Sequence, residues 1–152
     1  MIVLTQQQED NAHVGAHGSY IKLSPSLGLK VIHSVKYKSR AKAYRCRAWR
    51  EARLEAELLD IAFESGVVPR CYGATLVKVK SGFQVGVLMQ HLGSTTLSNS
   101  KFYDEFDVQE DINNKLEELG IYHGDLHEDN IMVYRGKFYA IDFSPNCVSI
   151  DE

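Results

Sequence analysis

Cysteine and proline are scarce in this chain, with three of each among 152 residues. Cys46, Cys71 and Cys147 are scattered, odd in number and form no C-x-x-C, which argues against a disulfide framework and fits inert thiols in a reducing compartment. A dominant charge is also missing. The formal net charge is −3, so nothing global argues for nucleic acid as a partner. No apolar run approaches the ~18 residues of a membrane span. The opening MIVLTQQQEDN lacks the basic flank and long apolar core of a secretory leader. Repeats and low-complexity tracts are absent. The expectation is a protein without a membrane segment, acting in the cytoplasm of its own cell or of a host.

What is present suffices for a core. The chain is 44% hydrophobic and 24% charged, and a domain of this length buries roughly 70% of the surface its unfolded chain exposes. Charge is unevenly spread. Lys36, Lys38, Arg40, Lys42, Arg45, Arg47, Arg50 and Arg53 are opposed only by Glu51 within that stretch. Such a run is a solvated helix face or a docking surface for an acidic partner.

Local signals place the elements. SYIKLSP (19–25) and GLKVIHS (28–34), divided by Ser24-Pro25-Ser26, predict a hairpin. Residues 39–65 contain no Gly or Pro and predict one long helix, stopped by Gly66 and Pro69. ATLVKVKSGFQVGVLMQHL (74–92) predicts a second hairpin, turning at Lys80-Ser81-Gly82. Residues 93–106 look like a linker. A helix follows over 108–119, with Asp107 as N-cap and Gly120 as stop. IMVY and FYAIDF form two short strands turned at Arg135-Gly136-Lys137, and the last ten residues carry no clear element. Strands and helices are segregated rather than alternating, which predicts an α+β fold.

The densest chemistry lies in HGDLHEDNIM, His123 to Met132. His123 and His127 have the spacing of a helical zinc pair, but Gly124 stands where such a motif needs its glutamate, and glycine disfavours the helix. His127 then reads as a structural residue bonded to nearby backbone. Phosphoryl transfer on magnesium needs hard oxygen ligands and a side chain that orients the nucleophile. Asp125 and Asn130 are five apart, and Asp142 lies twelve beyond Asn130 at the end of an apolar strand. Two short strands between them would return Asp142 to the side of Asn130.

HGDLHEDNIM…AIDF resembles the catalytic and metal-binding loops of the protein-kinase-like superfamily. The H-G-D-L-H form is similar to that of aminoglycoside and choline kinases and of atypical, RIO-like kinases. Gly124 replaces the arginine of eukaryotic protein kinases, and Ser144 replaces the glycine of D-F-G, which should stiffen that loop. The resemblance implies a bilobal fold, residues 1–91 forming a sheet lobe with one long helix and 92–152 a hinge and a much reduced helical lobe. It also implies ATP and Mg2+ as cofactors and a role for each matching residue. Asp125 would orient the attacking hydroxyl, and Asn130 and Asp142 would bind metal. Lys30 would meet the α- and β-phosphates, held by Glu55 or, one turn earlier, Glu51. HVGAHG (13–18), with Gly15 and Gly18, would be the glycine loop. Met89, Gln90, Leu92 and Met132 would contact adenine.

Only ten residues follow Asp142, too few for the usual activation segment and peptide platform. The implied activity is a minimal protein kinase acting on Ser/Thr hydroxyls, assisted by a protein partner docked on 36–53 or by homodimer formation. Bacterial effector and phage kinases are similarly reduced. The alternatives are a small-molecule kinase and a non-catalytic nucleotide-binding module.

Overall fold

The computed structural model describes residues 1–15, 18–100 and 103–151. The fold is α+β, with a mainly antiparallel sheet and a few helices. The chain divides into two compact units, Met1–Glu57 with Cys71–His91, and Leu58–Arg70 with Leu92–Glu152. Residues 58–70, which the sequence reading leaves in the first lobe, cluster with the second.

The first unit is built on a six-stranded sheet. Its strands are β1 (Ile2–Val3), β2 (His13–Gly15), β3 (Gly18–Lys22), β4 (Leu27–Tyr37), β5 (Cys71–Val79) and β6 (Gly82–Gln90), in the order β1-β5-β6-β4-β3-β2. Among the described strands only β1 pairs in parallel, with β5. A short helix α1 (Gln6–Asp10) follows β1, closed by a capping box in which Thr5 and Gln8 exchange side-chain and backbone bonds. Neither β1, α1 nor β2 is anticipated from the sequence, because each spans at most five residues. Along β4 the side chains alternate. Leu29 and Val31 are buried with Leu4, Ile21, Val77 and Val79 in one core cluster, so Lys30, between them, points to the opposite face.

The helix predicted over 39–65 is broken. Helix α2 (Arg40–Tyr44) starts at Ser39, whose hydroxyl accepts the Lys42 N–H at 3.2 Å. It tightens at its end, where Arg45 and Cys46 N–H donate to carbonyls only three residues back. The Cys46 thiol also donates to the Ala43 carbonyl at 2.8 Å, so the break needs neither Gly nor Pro. Helix α3 (Arg47–Ala62) then buries Ala48, Ala52, Glu55, Ala56, Leu59 and Ala62, one stripe at helical spacing. Its outer face keeps Arg47, Arg50 and Arg53 exposed, as are Lys36, Lys38, Arg40, Lys42 and Arg45.

In the second unit, α4 (Glu105–Glu117) buries Val108, Ile112 and Leu116. Its N-cap is Asp104, accepting from Phe106 and Asp107 N–H at 2.9 and 3.2 Å, rather than the predicted Asp107. Strand β7 (Ile121–His123) leads into the HGDLHEDN loop, and β8 (Ile131–Tyr134) and β9 (Lys137–Ala140) form the expected hairpin. The second strand stops at Ala140, short of the predicted FYAIDF. The final segment is not featureless, since β10 (Val148–Ile150) pairs antiparallel with β7. None of the described helices is long and apolar enough to cross a membrane.

Candidate functional site

Strand β7 delivers His123 into a buried position, 4% exposed. Its Nδ1 accepts the Asp125 N–H at 3.2 Å, so the ring proton sits on Nε2. That Nε2–H faces the main-chain carbonyls of Asp142 at 3.0 Å and Ile141 at 3.4 Å. The imidazole thus ties the Asp125 turn to the Asp142 turn, with the Phe143 ring edge-on against it at 5.2 Å. Burial lowers its pKa below the ordinary imidazole value, partly offset by those carbonyls and by the charges of Asp142 and Asp125. The neutral tautomer is the form this geometry uses.

Asn130 is the second tie. Its Oδ1 accepts the His127 N–H at 2.9 Å, and its amide nitrogen donates to the Asp125 carbonyl. The Ile141 N–H returns to the Asn130 carbonyl at 2.9 Å. His127 caps the short turn Glu128–Asn130, its Nδ1 accepting the Asp129 N–H at 3.2 Å. His127 is thus a backbone-bonding histidine, as expected. Asp125 keeps a half-exposed carboxylate, 3.9 Å from His127 Nε2. Asp142 sits at φ +63°, in the left-handed region that Asp tolerates better than most residues. Asp125, Asn130 and Asp142 are therefore joined within one loop assembly.

The tail of the second unit closes this assembly. After Phe143, fully buried, the carbonyl of Ser144 accepts Cys147 and Val148 N–H at 2.9 and 3.1 Å, and its hydroxyl accepts the Asn146 N–H. The resulting turn feeds β10 back to β7, Val148 opposite His123. The Gly124 N–H donates to the Cys147 carbonyl at 2.6 Å, and a Cβ on residue 124 would lie 2.9 Å from that oxygen. Backbone proximity thus accounts for glycine here.

In the first unit, Lys30 Nζ stands 2.8 Å from Glu55 Oε1, with both side chains largely withdrawn from solvent. Glu51 pairs instead with His33 at 2.7 Å and Arg47 at 2.9 Å. Gly15 of β2 pairs in register with Gly18 of β3. Ala16 and His17 lie outside the described residues. At Gly18 a Cβ would fall 2.0 Å from the Val31 carbonyl oxygen, so this glycine serves sheet packing whatever else it does. Met89, Leu92 and Met132 are buried, and Gln90 ends β6.

Sequence reasoning missed the organising role of His123, which depends on burial and on contacts eighteen and nineteen residues away. It also missed Tyr20 and His91, paired across 71 positions. The donor set fits magnesium. Asn130 Oδ1 and the Asp142 carboxylate are hard oxygens, and this ion takes few protein ligands, keeping water and phosphate for the rest.

The sequence matches the family described as the RIO domain over residues 30–152, most of the chain. No curated protein matches it.

Proposed function

The chain belongs to the RIO domain family, atypical members of the protein-kinase-like superfamily, and from that premise we propose that it transfers the γ-phosphate of ATP, with Mg2+, to a Ser or Thr hydroxyl of a protein. The RIO domain marks an ATP-binding phosphotransferase. The acceptor and the role of each residue are the proposal. One observation supports it above the others. His123 binds the Asp125 turn and the Asp142 turn at once, so the two carboxylates proposed to orient the hydroxyl and to bind metal belong to one hydrogen-bonded assembly.

The roles proposed are those the family resemblance implies, and charge gives their reason. Transfer spreads negative charge over the phosphoryl oxygens, so the protein acts by positioning and by fixed electrostatics. Asp125, exposed enough to meet an acceptor, orients its hydroxyl and takes its proton late in the step. Lys30, held by Glu55, neutralises the α- and β-phosphates. Asn130 and Asp142 hold the metal, which when bound neutralises phosphate charge. The backbone of Gln90 and Leu92, with Met89 and Met132, serves the base.

The test is incubation with γ-labelled ATP and Mg2+, alone and with a cell lysate, for the wild type, Asp125→Ala and Asp142→Ala. Label in the chain itself or in lysate proteins, lost in both variants, supports the reading. Label only in small metabolites replaces it with a small-molecule kinase. Nucleotide binding without any transfer replaces it with a binding module. The exposed basic stretch 36–53 is proposed as the face that docks an acidic protein partner, and reversing Arg50 and Arg53 to Glu should remove any stimulation by such a partner. Action in the cytoplasm belongs to the same proposal.

A further inference from the structure

His33 departs from the strand that carries it. Along β4, Leu29 and Val31 face the buried core and Lys30 faces the other way. Strict alternation would send residue 33 to the side of Val31, away from Lys30. Instead His33 takes a left-handed backbone, φ +59°, which residues other than glycine rarely adopt. The strand bulges at the same place. From Ile32 to Tyr37 β4 advances five residues while β6 advances two, from Val85 to Phe83. Bulges re-aim side chains, and this one turns the imidazole towards helix α3, where Nε2 donates to Glu51 Oε2 at 2.7 Å.

Two rungs therefore join β4 to α3 within the first unit. Lys30 meets Glu55 at 2.8 Å and His33 meets Glu51 at 2.7 Å. The partners stand three residues apart on the strand and four on the helix, about one helical turn. Glu51 is committed at both oxygens, since its Oε1 accepts from Arg47 Nε at 2.9 Å. A single rung leaves a helix free to pivot about it, and a second rung one turn away removes that freedom. Strand β3 begins at this place too. Gly18 pairs with Ile32, and a Cβ on it would lie 3.3 Å from the His33 nitrogen. A left-handed residue of this kind costs stability, and a half-exposed pair contributes little. Folding alone therefore does not account for the contact.

We propose that His33 is a positioning residue for phosphate transfer, which through Glu51 fixes the pivot of α3 so that Glu55 holds Lys30 in one arrangement as the γ-phosphoryl group moves. This rests on the reading of Lys30 as the phosphate lysine. The buried Lys30–Glu55 pair forms without help, so nucleotide binding does not need the second rung. Transfer does, because a displacement of about 1 Å at a positioning group slows it on the order of a hundredfold. Loosening the pivot displaces Lys30 by less than that and should slow transfer about tenfold.

The experiment compares the full chain with His33→Gly, Glu51→Ala and the double variant. Glycine adopts the left-handed backbone freely, so His33→Gly deletes the rung and keeps the bulge. Three quantities are read. They are the rate of label incorporation from γ-labelled ATP and Mg2+ at saturating ATP, into the chain itself or lysate proteins, the ATP affinity by calorimetric titration, and the thermal midpoint. His33→Gly should transfer about tenfold more slowly and bind ATP within about threefold of wild type. Its midpoint should stay within about 4 °C. Glu51→Ala should match it, and the double variant should be no slower than either. Glu51→Gln, which still accepts from His33, should keep most of the rate. A His33→Gly chain that transfers within about threefold of wild type overturns the proposal. So does one whose rate and ATP affinity fall together, since the contact would then hold the unit together and nothing more. So does a double variant in which the two losses multiply. A wild type that binds ATP but labels no acceptor of any kind overturns the transfer reading itself, and the positioning proposal with it.

Discussion

His123 donates its Nε2–H to the main-chain carbonyl of Asp142 at 3.0 Å while its Nδ1 receives the Asp125 N–H. One neutral, buried ring therefore fixes the distance between two loops that sequence spacing alone leaves free. Replacing it by leucine fills the volume and removes both bonds. The orphaned backbone groups cost about 1–3 kcal/mol, and displacement of the Asp125 carboxylate by about 1 Å is enough to slow transfer on the order of a hundredfold. His123→Leu should therefore lower kcat for γ-phosphate transfer steeply and leave ATP affinity, read by titration, within about threefold of wild type. An equal loss in both would mean that the ring holds the unit together without positioning the reacting groups.

The Lys30–Glu55 pair and the Glu51 cluster sit one helical turn apart and should respond very differently. Glu55 is 1% exposed. Breaking a buried ion pair by removing one member costs about 3–5 kcal/mol. Glu51 serves His33 and Arg47, whose side chains are 47% and 79% exposed, and such pairs contribute about 0–1 kcal/mol. Urea unfolding of Glu55→Ala should show a loss of several kcal/mol, and that of Glu51→Ala at most about 1 kcal/mol. ATP affinity should fall only in the first. The reverse order would reassign the partner of Lys30.

The same pair shows where the sequence was legible and where it was not. That Asp125, Asn130 and Asp142 lie near one another is legible because the loop and hairpin between them are local, whereas the distance between the Asp125 and Asp142 turns is set by His123 and is not. The choice between Glu51 and Glu55 was not legible either, because both fit the helical period and only the position of Lys30 on the facing strand separates them. Asp104 and Asp107 both cap well, and a shift of three residues preserves the apolar stripe of α4. The break at Arg45–Cys46 has no Gly or Pro to announce it. VSI near the C-terminus is too short to show alternation, and it becomes a strand only because β7 offers an edge. Tyr20 and His91 meet across the sheet, beyond the reach of any local pattern.

Gly124 tests whether the return of β10 sets the catalytic loop. An alanine there would bring its Cβ to 2.9 Å from the Cys147 carbonyl oxygen, in a place where the backbones are also hydrogen-bonded at 2.6 Å. Neither can yield without moving β7 from β10. Overpacking of this kind costs about 1–3 kcal/mol, which for a chain of this size lowers the thermal midpoint by roughly 3–9 °C. Gly124→Ala should melt earlier by that amount and transfer phosphate more slowly, since residue 125 follows directly. An unchanged midpoint would show that the Cys147 segment can move away freely.

His91 gives the Tyr20 contact a pH signature. Burial and the nearby Lys22 charge lower its pKa in the folded chain below the ordinary value near 6.5. The unfolded chain therefore takes up a proton at higher pH than the folded one does. The stabilisation is fully present above that ordinary value and is lost as pH falls through the lowered one, with a slope of at most about 1.4 kcal/mol per pH unit for one proton. Protonation also makes Nδ1 a donor, and it can no longer accept from the Tyr20 hydroxyl. His91→Asn offers an acceptor that does not titrate. Unfolding midpoints measured from pH 7.5 to 5 should therefore fall less steeply in the variant than in the wild type. Identical slopes would mean that His91 takes its proton as readily in the folded chain as in the unfolded one, and that the fastening of Tyr20 survives acidification.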